Sequence, residues 1–130
     1  MRWVLVTGAL LALLAVLVGA AAEHVLRPAA DAADWRRIET AMAYHRFGAL
    51  AVTALGLALM AGVRQQRRTL AAAACLLTAG TVLFSGTLYA GPLVSWSWLT
   101  SLTPWGGLLL ILGWGVLAIG GLRHGLQGAP

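Results

Sequence analysis

The sequence has little charge. Only 10% of its 130 residues are Asp, Glu, Lys or Arg, against about 25% in an ordinary soluble domain. That scarcity excludes a soluble globular enzyme, which must cover its surface with polar side chains, and a disordered tail. Lysine is absent altogether, so the nine basic residues are all Arg. They stand at the ends of apolar blocks, and no basic stripe with interleaved aromatics exists outside those blocks. The net charge of +5 is therefore not the footprint of a nucleic-acid partner. Cysteine is reduced to Cys75, inside the apolar run Leu70–Leu83. A single thiol excludes an internal disulfide and any Cys-spaced metal site, and it reads as a small buried or lipid-facing side chain. HxxxH and CxxC spacings, nucleophile elbows, phosphate loops and paired-carboxylate motifs are missing as well.

What is present is apolar, in long blocks. They run from about Trp3 to Ala22, Ala41 to Val63, Thr69 to Ala90 and Pro104 to Leu122. Each approaches the roughly 20 residues that carry a helix across about 30 Å of hydrocarbon. Lipid offers the backbone no hydrogen bonds, so such blocks must be helices. The alternation of a membrane barrel strand is absent. Arg2, the first apolar stretch and Ala20-Ala21-Ala22 resemble a signal peptide with a small-x-small cleavage site. The stretch is long for a signal peptide, and we read it as a span. The expectation is an all-α membrane protein, a single four-transmembrane-helix bundle.

Arg residues set its orientation. Arg2, Arg64, Arg67, Arg68 and Arg123 fall on one side, with Arg64-Gln65-Gln66-Arg67-Arg68 as the densest element. Arg27, Arg36 and Arg37 fall on the other, with Arg46 just inside the membrane edge there and all four acids beside them. Basic residues near span ends favour the cytoplasm. Both termini are thus expected to be cytoplasmic, and the loops Glu23–Glu39 and Gly91–Thr103 to face outward. The Arg cluster also suits anionic lipid. Small residues at four-residue spacing offer packing faces: Gly8 and Ala12, Ala15 and Gly19, then Ala54, Ala58 and Gly62, and more weakly Thr78, Val82 and Gly86. Such faces serve packing within the bundle and homo-oligomers alike.

The polar side chains gather at the expected outer ends of the first two spans. Glu23 and His24 end the first span, and Arg27 stands four residues after Glu23, where a continuing helix pairs them. Pro28 biases Arg27 away from helical geometry. Asp31 or Asp34 is placed to cap the next helix. Glu39 and Arg46 share one helix face, with Tyr44 and His45 alongside. A charge inside a span is costly unless paired. Arg46 is therefore expected to contact Glu23 across the helix pair, directly or through water and with His24 or Tyr44 nearby, with Glu39 as second choice, and Glu23→Gln to destabilise more than Asp31→Asn. The candidate ligand site is Glu23, His24, Glu39, Tyr44, His45 and Arg46. His24 and His45 offer imidazoles for a haem or metal as a lesser alternative, and no cofactor is expected otherwise. Trp96, Trp98 and Trp105 read as an interfacial belt or, alternatively, as an aromatic wall for an amphiphile.

Several strings are recognisable together. Leu83-Phe84-Ser85-Gly86-Thr87-Leu88-Tyr89 resembles the LFSGSLY hallmark of a small inner-membrane family, domain of unknown function four-two-three. Leu102-Thr103-Pro104-Trp105-Gly106-Gly107 with Gly113-Trp114 resembles its TPxGG…GW motif. Gly19-Ala20-Ala21-Ala22-Glu23-His24 is similar to its GAFGAH string, and Glu39-Thr40-Ala41 with Tyr44 to its ETA…YQ string. The chain departs from the family at His45, usually Gln, at Gly48, often His, and at Glu23, usually small. The resemblance covers nearly the whole chain and implies four transmembrane helices in a bacterial inner membrane. It implies no established activity. The motif residues also have structural roles. Ser85 and Thr87 can bond to helix carbonyls or across helices, and Gly86 admits a neighbour. Pro104 suits a first helical turn with Thr103 as N-cap, and Gly106 and Gly107 allow tight packing.

Three functions compete. The favoured one is a non-enzymatic membrane protein acting through protein or lipid contacts, for example as an accessory subunit of a larger membrane complex. The second is a small-molecule or ion binder or carrier built on the outer polar cluster. The third is a redox subunit at His24 and His45.

Overall fold

The computed structural model describes residues 2–62, 66–94 and 97–127. Val63, Arg64 and Gln65 of the expected inward turn and Trp96 of the aromatic belt lie outside the described residues. Helix α1 is Arg2–Ala21 and continues into a π-helical turn, Ala22–Leu26. Helix α2 is Ala32–Met60, α3 is Arg67–Ala90, α4 is the short Ser97–Thr100, and α5 is Thr103–Gln127. Four helices are long and apolar enough to cross a membrane, and there is no strand among the described residues.

Helix α2 begins well before the apolar block at Ala41, because its start is set by a cap. Asp31 Oδ1 accepts from the backbone N–H groups of Ala33 and Asp34, both at 2.8 Å, which satisfies two donors that a helix start leaves free. Its other end closes at Gly62, whose φ of 84° is the left-handed geometry that ends a helix and that glycine adopts without strain. Gly62 therefore terminates α2 instead of extending a packing ladder. The α1 end differs from expectation too. Arg27, although it precedes Pro28, stays helical at φ −57° and ψ −43°. Its N–H reaches back to Ala22 O at 2.8 Å, closing the wider π turn, and the chain then leaves the helix through Pro28.

The helices run antiparallel, each packed on its neighbour in sequence: α1 on α2, α2 on α3, α3 on α5. Glycines set the close approaches. A Cβ at Gly8 would stand 2.5 Å from Thr53 N, and one at Gly56 would stand 2.5 Å from Leu5 Cα, where α1 meets α2. A Cβ at Gly48 would overlap the Thr81 hydroxyl across α2–α3, and one at Gly106 would overlap the Phe84 backbone across α3–α5. In lipid the gain from such contact is van der Waals packing, since burial from lipid gains little. Two of the expected ladders are used only in part: Gly8 and Ala15 are buried, whereas Gly19 and Gly86 have open space where a side chain would be.

The main core joins α2, α3 and α5 through Val52, Leu55, Leu59, Leu70, Leu77 and Leu110. A smaller one, Ala22, Ile38 and Met42, closes the end that carries the acids. Between them lies a polar layer of His45, Thr81 and Ser85 on α2 and α3, all buried. Helix α1 sits at the edge: only 11% of its most apolar window is buried, against 44% for α2. Most of α1 therefore faces outward, toward lipid.

Candidate functional site

The expected outer cluster separates into three environments. At the surface, Glu23 Oε2 accepts from Arg27 NH1 at 2.7 Å, the pairing foreseen from their spacing. That bond and the Glu23 charge, with Glu39 adding to them, hold the Arg27 guanidinium above its ordinary pKa. The guanidinium also lies over Trp35, 5.3 Å from the ring centroid. His24 is exposed on the π turn, and Glu39 is exposed on α2. The capping bonds from Asp34 and Ala33 keep the Asp31 carboxyl below the usual carboxylate range.

The second environment is the interior. His45 is 7% exposed and faces α3. Its Nδ1 lies 3.4 Å from the Tyr89 hydroxyl, the Leu11 backbone of α1 is also in reach of the ring, and no hydrogen bond reaches Nε2 among the described residues. His45 thus belongs to the helix contacts of α2, away from the exposed His24. The Ser85 hydroxyl of the same α3 motif is buried without a partner among the described residues. Thr87 Oγ1 donates to Phe84 O at 3.0 Å and shares a 2.8 Å hydrogen bond with Thr103 Oγ1. Thr103 is the first residue of α5, and the Gly106 N–H reaches Leu102 O at 3.2 Å, so Leu102 stands at the cap position while the Thr103 hydroxyl bonds across to α3. Through that bond the two motifs, distant in sequence, are one contact.

The third environment is a lateral groove between α1 and α2, a cavity of about 490 Å³. Ala12 and Gly19 from α1 and Met42 and Leu50 from α2 give it apolar walls, and Glu23 and Arg46 stand at one end. Arg46 forms no ion pair among the described residues. Its Nε donates to Met42 O at 3.1 Å, one turn back on α2. No direct Glu23–Arg46 ion pair forms among the described residues; Arg27, four residues on, takes the Glu23 carboxylate. The two side chains nevertheless line one groove. Their similar depth on neighbouring spans signalled this neighbourhood; the hollow between them depends on how α1 and α2 pack.

Aromatic side chains make a second hollow. Tyr44 packs on Phe84 with centroids 4.8 Å apart, and Phe47 on Trp114 at 5.1 Å. Together with Gly107 they line about 390 Å³ between α2 and α5. An aromatic wall is present, then, but it is built from these rings. Trp98 and Trp105 are exposed at the periphery. Among the described residues no group of three or more His, Cys, Asp or Glu side chains is placed to hold a metal.

A family model described as a protein of unknown function (DUF423) matches residues 18–107. The inner membrane protein YgdD of Escherichia coli, of the UPF0382 group, is 34% identical over 125 residues, 94% of this chain and 91% of its own length. The membrane protein YwdK of Bacillus subtilis is 31% identical over 124 residues, 95% of this chain and 99% of its own length. A UPF0382 membrane protein of Staphylococcus saprophyticus is 33% identical over 123 residues, 92% and 97% of the two chains. No solved structure matches the chain. With a matching family model, full-length relatives and four helices able to span a bilayer, the chain belongs to the DUF423 family of small multi-pass membrane proteins.

Proposed function

We propose that this protein acts without catalysis, through contact with lipid at its lateral surface, and that the α1–α2 groove is the place of contact. The observation that carries this reading is the groove itself: apolar along its walls, open to the side of the bundle and polar at one end, where Glu23 and Arg46 stand. That is the profile of an amphiphile, with a chain in hydrocarbon and a head at the interface. The α2–α5 hollow has comparable apolar walls but no charged lining.

The test is thermal unfolding of delipidated protein in mild detergent, with palmitoyl-oleoyl phospholipid added back. A ligand that binds only the folded state stabilises it by about 1.4 kcal/mol at tenfold excess over its dissociation constant. The expected result is a saturable rise in Tm that is absent from Gly19→Leu and Ala20→Leu, whose new side chains enter the groove. Gly19 has open space for one. An equal rise in wild type and in both variants sinks the reading.

A further inference from the structure

The groove lies along one flank of the α1–α2 pair. Near the termini α1 and α2 touch backbone to backbone, at Gly8 with Thr53 and at Gly56 with Leu5. Toward the acid-bearing end Ala22 still packs on Ile38 and Met42 of α2, while the flank of α1 at Gly19 stays open, with nothing within 4 Å of a Cβ added there. The cavity follows that open flank, from Ala12 to Glu23 on α1. This stretch rises about 16 Å, close to half of the roughly 30 Å hydrocarbon core. Ala12 lies in the middle of the apolar block Trp3–Ala22. The wedge therefore runs from headgroup depth to about the midplane, one leaflet deep. A transmembrane helix from a second copy needs a groove along the whole span. An acyl chain needs one leaflet.

The polar end carries charges of both signs. Arg46 spends its Nε on Met42 O, which leaves its two terminal nitrogens for an anion. Glu23 spends Oε2 on Arg27, which leaves Oε1 as an acceptor. A guanidinium and a carboxylate on the rim of one groove complement a headgroup that carries an anion and a cation together. A phosphate diester suits Arg46. A primary ammonium, with three donors, suits Glu23. A choline headgroup has the charge without the donors, and a glycerol headgroup lacks the cation.

We propose that the α1–α2 wedge is a site for a phospholipid with an ethanolamine headgroup, with one acyl chain between Ala12 and Gly19, the phosphate on Arg46 and the ammonium on Glu23. This rests on the lipid-contact reading above and adds the headgroup to it.

The experiment uses the full chain in vesicles of equal parts palmitoyl-oleoyl phosphatidylethanolamine, phosphatidylglycerol and phosphatidylcholine. Protein is extracted in mild detergent, and native mass spectrometry counts the lipids retained by each chain. The expected result is one retained phospholipid, enriched in the ethanolamine lipid by about threefold, the size of a partly exposed ion pair. Arg46→Gln lowers retention of all three lipids, because the phosphate is common to them. Glu23→Gln keeps retention and loses the enrichment. Gly19→Leu and, as a second filling variant, Ala20→Leu lose retention. Retention unchanged in both filling variants overturns the groove and the headgroup together. Loss of retention in those variants with no ethanolamine enrichment in wild type, or with enrichment untouched by Glu23→Gln, overturns the headgroup assignment and leaves the groove standing. Dimers without bound lipid, dissociated by Gly19→Leu, assign the wedge to a second copy and overturn both.

Discussion

Arg46 shows how a single residue can be legible in cost and illegible in partner. Its position inside an apolar block requires relief of its charge, and the relief found is a bond to Met42 O at 3.1 Å and a place on the groove rim. Glu23 turned instead to Arg27, in a pair whose side chains are 48% and 61% exposed. Exposed pairs contribute little to stability. Loss of the cap is expected to cost more: Asp31→Ala lowers Tm in detergent more than Glu23→Gln, because Asp31 holds two backbone donors of α2. Asn caps as well as Asp, so Asp31→Asn retains most of the stability at neutral pH. The Asp31 pKa is lowered by folding. Its contribution is present above the unfolded value and is lost as pH falls through the folded value. Tm measured from neutral pH down through the carboxylate range should fall more steeply in wild type than in Asp31→Asn. Glycines at residue scale separate just as sharply. Gly48→Ala overlaps the Thr81 hydroxyl and should cost about 1–3 kcal/mol, as overpacking does. Gly86→Ala meets nothing within 4 Å and should be neutral or stabilising by about 0.5–1 kcal/mol, the helix preference for alanine. Unfolding of the two variants side by side in one detergent checks the contrast.

Among the elements, α3 and α5 form the contact that the two sequence motifs encode. Gly106 admits Phe84, and Thr87 and Thr103 share a hydrogen bond at 2.8 Å, with Thr87 only 4% exposed. Interhelical side-chain bonds in membranes average about 0.6 kcal/mol and reach about 1.7. A double-mutant cycle of Thr87→Val and Thr103→Val should return a coupling energy inside that range, and a value of zero removes the bond from the account of α3–α5 packing. The Asp31 cap and the Glu23–Arg27 pairing were legible because they act within a few residues, where helical spacing fixes who can meet whom. The inward turn of His45 was not. It depends on the rotation of α2 against α3, and an imidazole at that depth reads equally as a surface ligand or as a buried contact.

For the whole molecule, four spans in a chain with all four acids on two adjoining segments predict an orientation. From the Arg count both termini are expected in the cytoplasm. In a background where the exposed Cys75 is replaced by Ala, a cysteine at Ala29 should label with a membrane-impermeant maleimide from the periplasm, and one at Gln66 should not. Labelling in the opposite pattern inverts the molecule, and with it the leaflet that supplies the groove.

Hydropathy by itself determined the number of spans, their helical nature and the membrane setting, because these follow from sums over residues and from the backbone's need for hydrogen bonds where lipid supplies none. Tertiary structure alone decided which small residues touch. Gly8, Gly48 and Gly106 meet neighbouring helices, while Gly19 and Gly86 face open space. The reason is that lipid and neighbouring helix are both apolar, so hydrophobicity does not choose which face of a span turns inward. Rotation of the helices is set by packing along their whole length. The α1–α2 groove, with Glu23 and Arg46 in its lining, is a product of that packing.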